Sequence, residues 1–214
     1  MKGVIFDLDG VLVSTDELHF QAWKKLADEI GATEFNREDN ERQRGVSRMA
    51  SLEIVLEKCP NSYTEEEKTE LADRKNEYYV EMLQSLDESA LLPGAVETLK
   101  MLRENNILTA VGSASKNAPL ILEKAGILPL IDKISCGLDV TKSKPDPEVF
   151  LVAAQKLGLE PEDCLVVEDA AAGIEAAKRG GMKSLGVGPF NDKLGADFNS
   201  ETLKTVENWR EILW

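Results

Sequence analysis

The chain has 214 residues, 43% of them hydrophobic and 30% charged, which suits one soluble domain or a domain carrying a large insert. Thirty-nine acidic residues against 25 basic ones give a net charge of −14. A nucleic acid would be repelled over most of such a surface, and a small phosphate ester would bind only where a few cations gather. No apolar run approaches the roughly 20 residues that cross a bilayer, and Asp7 interrupts any signal-like core near the N-terminus. Cys59, Cys136 and Cys164 show neither metal-ligand spacing nor a disulfide framework. The expectation is a cytoplasmic, monomeric protein with no membrane or nucleic-acid partner.

Residues 3–7, Gly-Val-Ile-Phe-Asp, are a short apolar run ending in a carboxylate, the pattern of a strand buried on both faces. Residues 14–88 hold no convincing strand. Ser14-Thr15-Asp16-Glu17 has capping-box spacing. The helix it predicts carries Leu18, Ala22, Trp23, Leu26 and Ile30 on one face and stops at Gly31. Ser47 predicts the cap of a second helix bearing Leu52, Ile54 and Val55, and Thr64 with Glu67 predicts the start of a long helix to about Leu86. Beyond residue 89, apolar runs and helices alternate. Pro93-Gly94 starts a helix with Leu99 and Leu102, and a strand covers 107–112. A helix from Leu120 to Ala125 ends at Gly126, and a weaker run spans Lys133 to Cys136. A helix from Pro147 to Leu157 ends at Gly158, a strand covers 164–168, a helix from Ala170 to Arg179 ends at Gly180-Gly181, and a last strand covers 183–187. This alternation reads as βαβ units on a parallel sheet, interrupted after the first strand by a helical module. Its crossings near Val13–Thr15 and Asp87–Leu92 are hinge candidates.

Asp7-Leu8-Asp9-Gly10 stands at the carboxyl end of the first strand, where open parallel sheets bind ligands. Alternation points Asp7 and Asp9 the same way. Two such carboxylates suit a nucleophile with an acid/base partner, or a metal cage, and a polar turn is the plain alternative. Ser113 follows the strand 107–112, where a hydroxyl and backbone N–H groups can hold a phosphate. Lys144, in Ser143-Lys144-Pro145-Asp146, can neutralise a phosphate oxygen and an aspartate together. Glu168-Asp169 ends the strand 164–168, and paired acids at a buried strand end are costly without a cation. With Asp7 and Asp9 that makes four carboxylates against one lysine, and hard oxygen ligands beside a phosphate favour Mg²⁺.

Asp7-Leu-Asp-Gly, Ser113, Lys144-Pro and Glu168-Asp169 resemble, in order and in context, the four motifs of the haloacid dehalogenase superfamily of phosphotransferases. The resemblance implies an α/β fold, a Rossmann-like parallel-sheet core (1–14 and 89–214) with an inserted α-helical cap (15–88). Four further segments resemble the branch that interconverts β-glucose 1-phosphate and glucose 6-phosphate through β-glucose 1,6-bisphosphate. They are Leu18-His19-Phe20-Gln21-Ala22-Trp23, Arg44-Gly45-Val46-Ser47-Arg48, Arg74-Lys75-Asn76 and Ser113-Ala114-Ser115-Lys116-Asn117. The resemblance implies that Asp7 carries the phosphoryl group and that Asp9 acts as general acid and base. It puts Mg²⁺ on Asp7, Glu168, Asp169 and the Asp9 carbonyl. Ser113 and Lys144 would attend the transferring phosphate, and Thr15 would be a hinge residue. Arg48, Ser115, Lys116 and Asn117, with Ala114 beside them, would hold the phosphate that is not being transferred. His19, Gly45, Val46, Ser51 and Lys75 would lie on the sugar side of the cap. Arg44 stands where the family usually has lysine, which keeps the charge and changes the geometry.

Each cap residue also has a plain reading. His19, the only histidine, could be a boundary residue, Arg48 a solvated helix-start arginine, and Lys75 a helix-surface ion-pair partner. Trp23, Trp209 and Trp214 read as packing. Functionally, the expectation is a sugar-phosphate mutase. A sugar-phosphate phosphatase on the same fold is the alternative, because the core motifs serve both. A catalytically dead binding protein would have lost Asp7, Lys144 or the acidic pair, and none is lost.

Overall fold

A computed structural model describes residues 1–43 and 46–213. The chain divides into two units, Met1–Ser14 with Asp87–Trp214, and Thr15–Leu86. The sequence placed the return crossing near Asp87–Leu92, with the second core segment counted from 89. Asp87 and Glu88 instead fall with the first unit, where the Asp87 side chain accepts from Ser89 N–H and so begins a short turn, Glu88–Ala90.

The chain starts with β1 (Gly3–Phe6), all of it buried, and then enters the helical unit. Helix α1 (Asp16–Glu29) turns Ala22, Trp23, Leu26 and Ala27 inward. The capping box expected at Ser14–Glu17 does not form: Thr15 is the N-cap and makes no side-chain cap bond. Its hydroxyl instead accepts from the Tyr79 hydroxyl at 2.9 Å, and the Ser14 N–H is bound to Ala90 O. Helix α2 (Arg37–Arg42) was not expected, since its six residues are all polar and give no apolar period. An Asn36–Asp39 capping box starts it, and Arg42 ties it to Glu57 through two bonds of 2.7 and 2.8 Å. Helix α3 (Arg48–Leu56) is capped by Ser47, and α4 (Glu65–Leu83) by the Thr64–Glu67 box, both as expected. Helix α4 stops at Leu83, and residues 84–86 continue as turns. Trp23, Leu26, Phe35, Leu52, Val55 and Leu71 share one apolar cluster that binds α1, α3 and α4 together.

The other unit resumes with α5 (Ala95–Glu104), β2 (Leu108–Gly112), α6 (Ala118–Lys124), β3 (Lys133–Ser135) and α7 (Glu148–Leu157). It continues with β4 (Cys164–Glu168), α8 (Ala171–Arg179), β5 (Lys183–Gly186), β6 (Phe198–Asn199) and α9 (Trp209–Leu213). Among the described residues the sheet runs β3-β2-β1-β4-β5-β6, with every pairing parallel. Strand β6 was not expected, because two residues carry no readable period. Ile5, Ala110, Phe150, Ala153 and Val166 anchor one face of the sheet, each such burial contributing roughly 1.5–3 kcal/mol for the larger side chains. Strand order reverses between β1 and β4, so the carboxyl ends of these two central strands flank the switch point where such sheets bind ligands. No described helix is long and apolar enough to cross a membrane.

Candidate active site

Asp7 leaves β1 at that switch point, its N–H bound to Val167 O on β4 at 2.9 Å, which fixes the side chain just beyond the sheet. Glu168 is the last residue of β4. Lys144 arrives from the segment before α7 and donates to Asp7 Oδ1 at 2.5 Å and to Glu168 Oε1 at 2.7 Å. All three are buried, and the Lys144 ammonium sits 4.7 Å from the centre of the Phe150 ring. The second Glu168 oxygen accepts from Ala170 N–H at 2.7 Å. Asp7, Glu168 and Asp169 each offer an oxygen within 4.8 Å of the others.

The electrostatics follow from one ammonium serving several carboxylates. Burial pushes Asp7 up to about 7. Lys144 opposes that shift, while Glu168 and Asp9 reinforce it. Burial alone would lower Lys144, but Asp7 and Glu168 together hold it above its ordinary value. The site is short of positive charge, and its donors are hard oxygens. The residues present therefore fit a divalent cation on Asp7, Glu168 and Asp169.

Two glycines make room for these acids. Gly10 has φ +81°, and a Cβ there would lie 2.1 Å from Asp169 Oδ2. At Gly173, on the first turns of α8, a Cβ would lie 1.8 Å from Glu168 Oε1. Sequence reasoning missed Gly173. Its signal was a glycine inside a helix, which costs about 1 kcal/mol against alanine and asks for a reason. Asp9 is half-buried, in a short bridge with Val13 closed by Gly10 N–H to Val13 O at 2.8 Å.

Ser113 follows β2 and is buried. Its N–H donates to Ser135 O, and its Oγ accepts from Ser115 N–H at 3.1 Å. Ser115 Oγ in turn accepts from Asn117 N–H at 3.2 Å. These side-chain bonds tie the loop into a tight series of turns, with Ala114, Ser115 and Asn117 half-buried and Lys116 exposed.

In the helical unit, Lys75 is 3% exposed, which removes its reading as a surface ion-pair lysine. Its Nζ lies 2.8 Å from His19 Nδ1. Burial, then the charges of Lys75 and Arg48, hold His19 well below its usual value. Arg48, at the start of α3, is half-buried and donates to Asn76 Oδ1 at 2.9 Å, with Asp73 at 3.5 Å. Ser51 is buried, its carbonyl accepting from Gln43 Nε2, and Val46 is exposed. Arg44, Gly45 and Trp214 lie outside the described residues. The structure thus assembles Asp7, Lys144, Glu168 and Asp169 in one unit, and His19, Lys75 and Thr15, through Tyr79, in the other.

Comparison with known proteins gives concordant likenesses. The model of the haloacid dehalogenase-like hydrolases matches residues 1–181. A β-phosphoglucomutase of Bacillus subtilis is 45% identical over 199 residues, covering 92% of this chain and 88% of its own. A crystal structure of β-phosphoglucomutase from Clostridium difficile aligns with a TM-score of 0.89 at 37% identity, over 95% of this chain and 92% of that one. A phosphorylated carbohydrates phosphatase of Thermotoga maritima is 29% identical over 188 residues, or 86% of this chain and 84% of its own.

Proposed function

This chain belongs to the haloacid dehalogenase-like hydrolase family, and from that premise we propose that it catalyses the β-phosphoglucomutase reaction with Mg²⁺ as its metal. The 45% identity to the Bacillus subtilis β-phosphoglucomutase favours the mutase over the phosphatase, and the observation that carries the phosphoryl-transfer chemistry is Asp7 itself. It is a buried carboxylate at the end of the central strand, gripped by Lys144 and grouped with Glu168 and Asp169. Asp7 Oδ would attack phosphorus and hold the phosphoryl group as an acyl phosphate, dividing one transfer into two. Lys144 would balance the charge, and Ser113 with the N–H groups of its loop would hold phosphoryl oxygens. Mg²⁺, when bound by Asp7, Glu168 and Asp169, supplies the positive charge that the phosphoryl group needs. Asp9 would protonate the departing sugar oxygen and take the proton from the attacking hydroxyl. Arg48 with Ser115, Lys116 and Asn117 would hold the distal phosphate, whichever end of the bisphosphate that is.

The experiment supplies β- and α-glucose 1-phosphate separately, with catalytic bisphosphate and Mg²⁺, and measures glucose 6-phosphate and inorganic phosphate in parallel. The β anomer should give glucose 6-phosphate as the main product, and chelator should abolish turnover. Inorganic phosphate as the main product would put the chain with its Thermotoga maritima relative, as a phosphatase. Arg48→Ala should lower the mutase rate and raise the share of inorganic phosphate, because a weakly held distal phosphate expresses less binding energy in the transition state.

A further inference from the structure

Tyr79 is 1% exposed on α4, four residues after Lys75 and hence on the same helix face. Its ring stacks on the imidazole of His19, with centroids 4.0 Å apart and planes inclined by 17°. Its hydroxyl donates to Thr15 Oγ at 2.9 Å, one helical turn before His19. The Lys75 ammonium lies 4.7 Å from the centre of the same ring and 4.6 Å from that of Trp23. One side chain therefore touches the first residue of the helical unit, its histidine and its buried lysine.

The contact between Lys75 Nζ and His19 Nδ1 has a definite sense. An ammonium carries only donors, so Nδ1 must be the acceptor and bear no proton. A neutral imidazole then carries its proton on Nε2. Resting on the mutase reading, in which His19 and Lys75 face the sugar phosphate, we infer that Tyr79 is a positioning residue that holds His19 as the Nε2–H tautomer beneath Lys75. The unit then offers its ligand two fixed donors, an imidazole N–H and an ammonium, which suit the acceptor oxygens of a sugar phosphate. The charged groups facing His19 work in the same direction, since burial, Lys75 and Arg48 all oppose an imidazolium.

His19 is the only histidine in the chain, so ¹⁵N-labelled histidine gives a single imidazole spin system in the intact protein. At pH 7 the wild type should show an unprotonated Nδ1 and a protonated Nε2. Tyr79→Phe, which keeps the stack, should preserve that pattern. Tyr79→Leu should mix the tautomers and raise the titration midpoint, and Lys75→Met should do the same by freeing Nδ1. A wild-type Nδ1–H, or a charged ring at pH 7, overturns the inference without any variant having to fold. So does a Tyr79→Leu or Lys75→Met spectrum identical to wild type. In kinetics, Tyr79→Leu should lower kcat/KM for β-glucose 1-phosphate on the order of tenfold. In a His19→Gln background the same change should add little, because its effect runs through His19. Full additivity would make Tyr79 a packing residue only. The spectra need no turnover, so they stand or fall separately from the assay that decides between mutase and phosphatase.

Discussion

The two units hold their buried lysines in different ways. In the sheet unit, Lys144 meets formal negative charges, Asp7 at 2.5 Å and Glu168 at 2.7 Å, and all three stand where strand or helix ends place them. In the helical unit, Lys75 rests over two rings against a neutral imidazole, while Arg48 donates to the Asn76 amide at 2.9 Å and has Asp73 at 3.5 Å. The first arrangement is set by backbone register, because β1 and β4 pair Phe6 with Val167 just before the acids. The second is set by side chains packing across α1 and α4. Substitutions in the sheet unit should therefore remove chemistry and leave the fold in place. Substitutions in the helical unit should alter recognition and the state of its groups.

Asp7→Asn breaks this comparison most sharply. Removing a nucleophile typically lowers kcat by roughly 10⁵-fold or more. The thermal midpoint should change little, because Lys144 keeps Glu168 as a partner at 2.7 Å. Turnover within tenfold of wild type in a clean preparation would take the nucleophile's role from Asp7. Asp9→Asn comes next, with a loss of about 10²–10⁴-fold, the usual contribution of a placed acid or base. Its Mg²⁺ titration should match wild type, because the family resemblance implies the Asp9 carbonyl and not its side chain as a ligand, and the substitution keeps that carbonyl. A matching loss of metal affinity would instead make the Asp9 side chain a ligand.

Gly173→Ala sharpens the point about backbone placement. A methyl there would lie 1.8 Å from Glu168 Oε1, so the carboxylate must move. Disturbing the support of a metal ligand typically lowers affinity or activity by about 10–100-fold. Mg²⁺ titrations followed by activity and by thermal midpoint should both shift to higher concentration. An unchanged titration would show that Glu168 does not meet the metal.

The same contrast decides how far the sequence was legible. Asp7, Ser113, Lys144 and Glu168-Asp169 could be read because each follows a short apolar run or precedes a helix, and chain order alone brings strand ends to one edge of a parallel sheet. The chain order of strands and helices followed from the same runs. Helix α2 was lost because Arg37 to Arg42 have no apolar member, although Asn36 with Asp39 was a start signal in plain view. Strand β6 was too short to show a period. Tyr79 was read only as part of a long helix, since nothing in its neighbours shows that its hydroxyl would take Thr15 away from the helix cap. Local pattern carries a site built on backbone ends. It does not carry one built from side chains that meet across 56 or 64 residues of chain.

The smallest expected effect lies in the helical unit and concerns stability against pH. His19 is held well below its usual value by burial first, then by Lys75 and Arg48. In the unfolded chain a histidine titrates near 6.5. Below that pH, and above the folded value, the unfolded chain binds a proton that the folded chain refuses. Its stabilising contribution is therefore complete above about pH 7.5 and is lost as pH falls through 6.5, by on the order of 1 kcal/mol at pH 5.5. The sign is opposite to that of a histidine paired with a carboxylate, which would gain over the same window. Carboxylates elsewhere also titrate toward acid pH, so the measurement is a difference. Urea unfolding of wild type and His19→Gln at steps from pH 8 to 5.5 should show the wild type losing more stability on acidification. With no second histidine in the chain, that difference belongs to this ring. Parallel curves would mean that His19 takes up its proton in the folded state. Lys75 would then lose its neutral partner at 2.8 Å, and the contrast between this pair and Lys144 would fail.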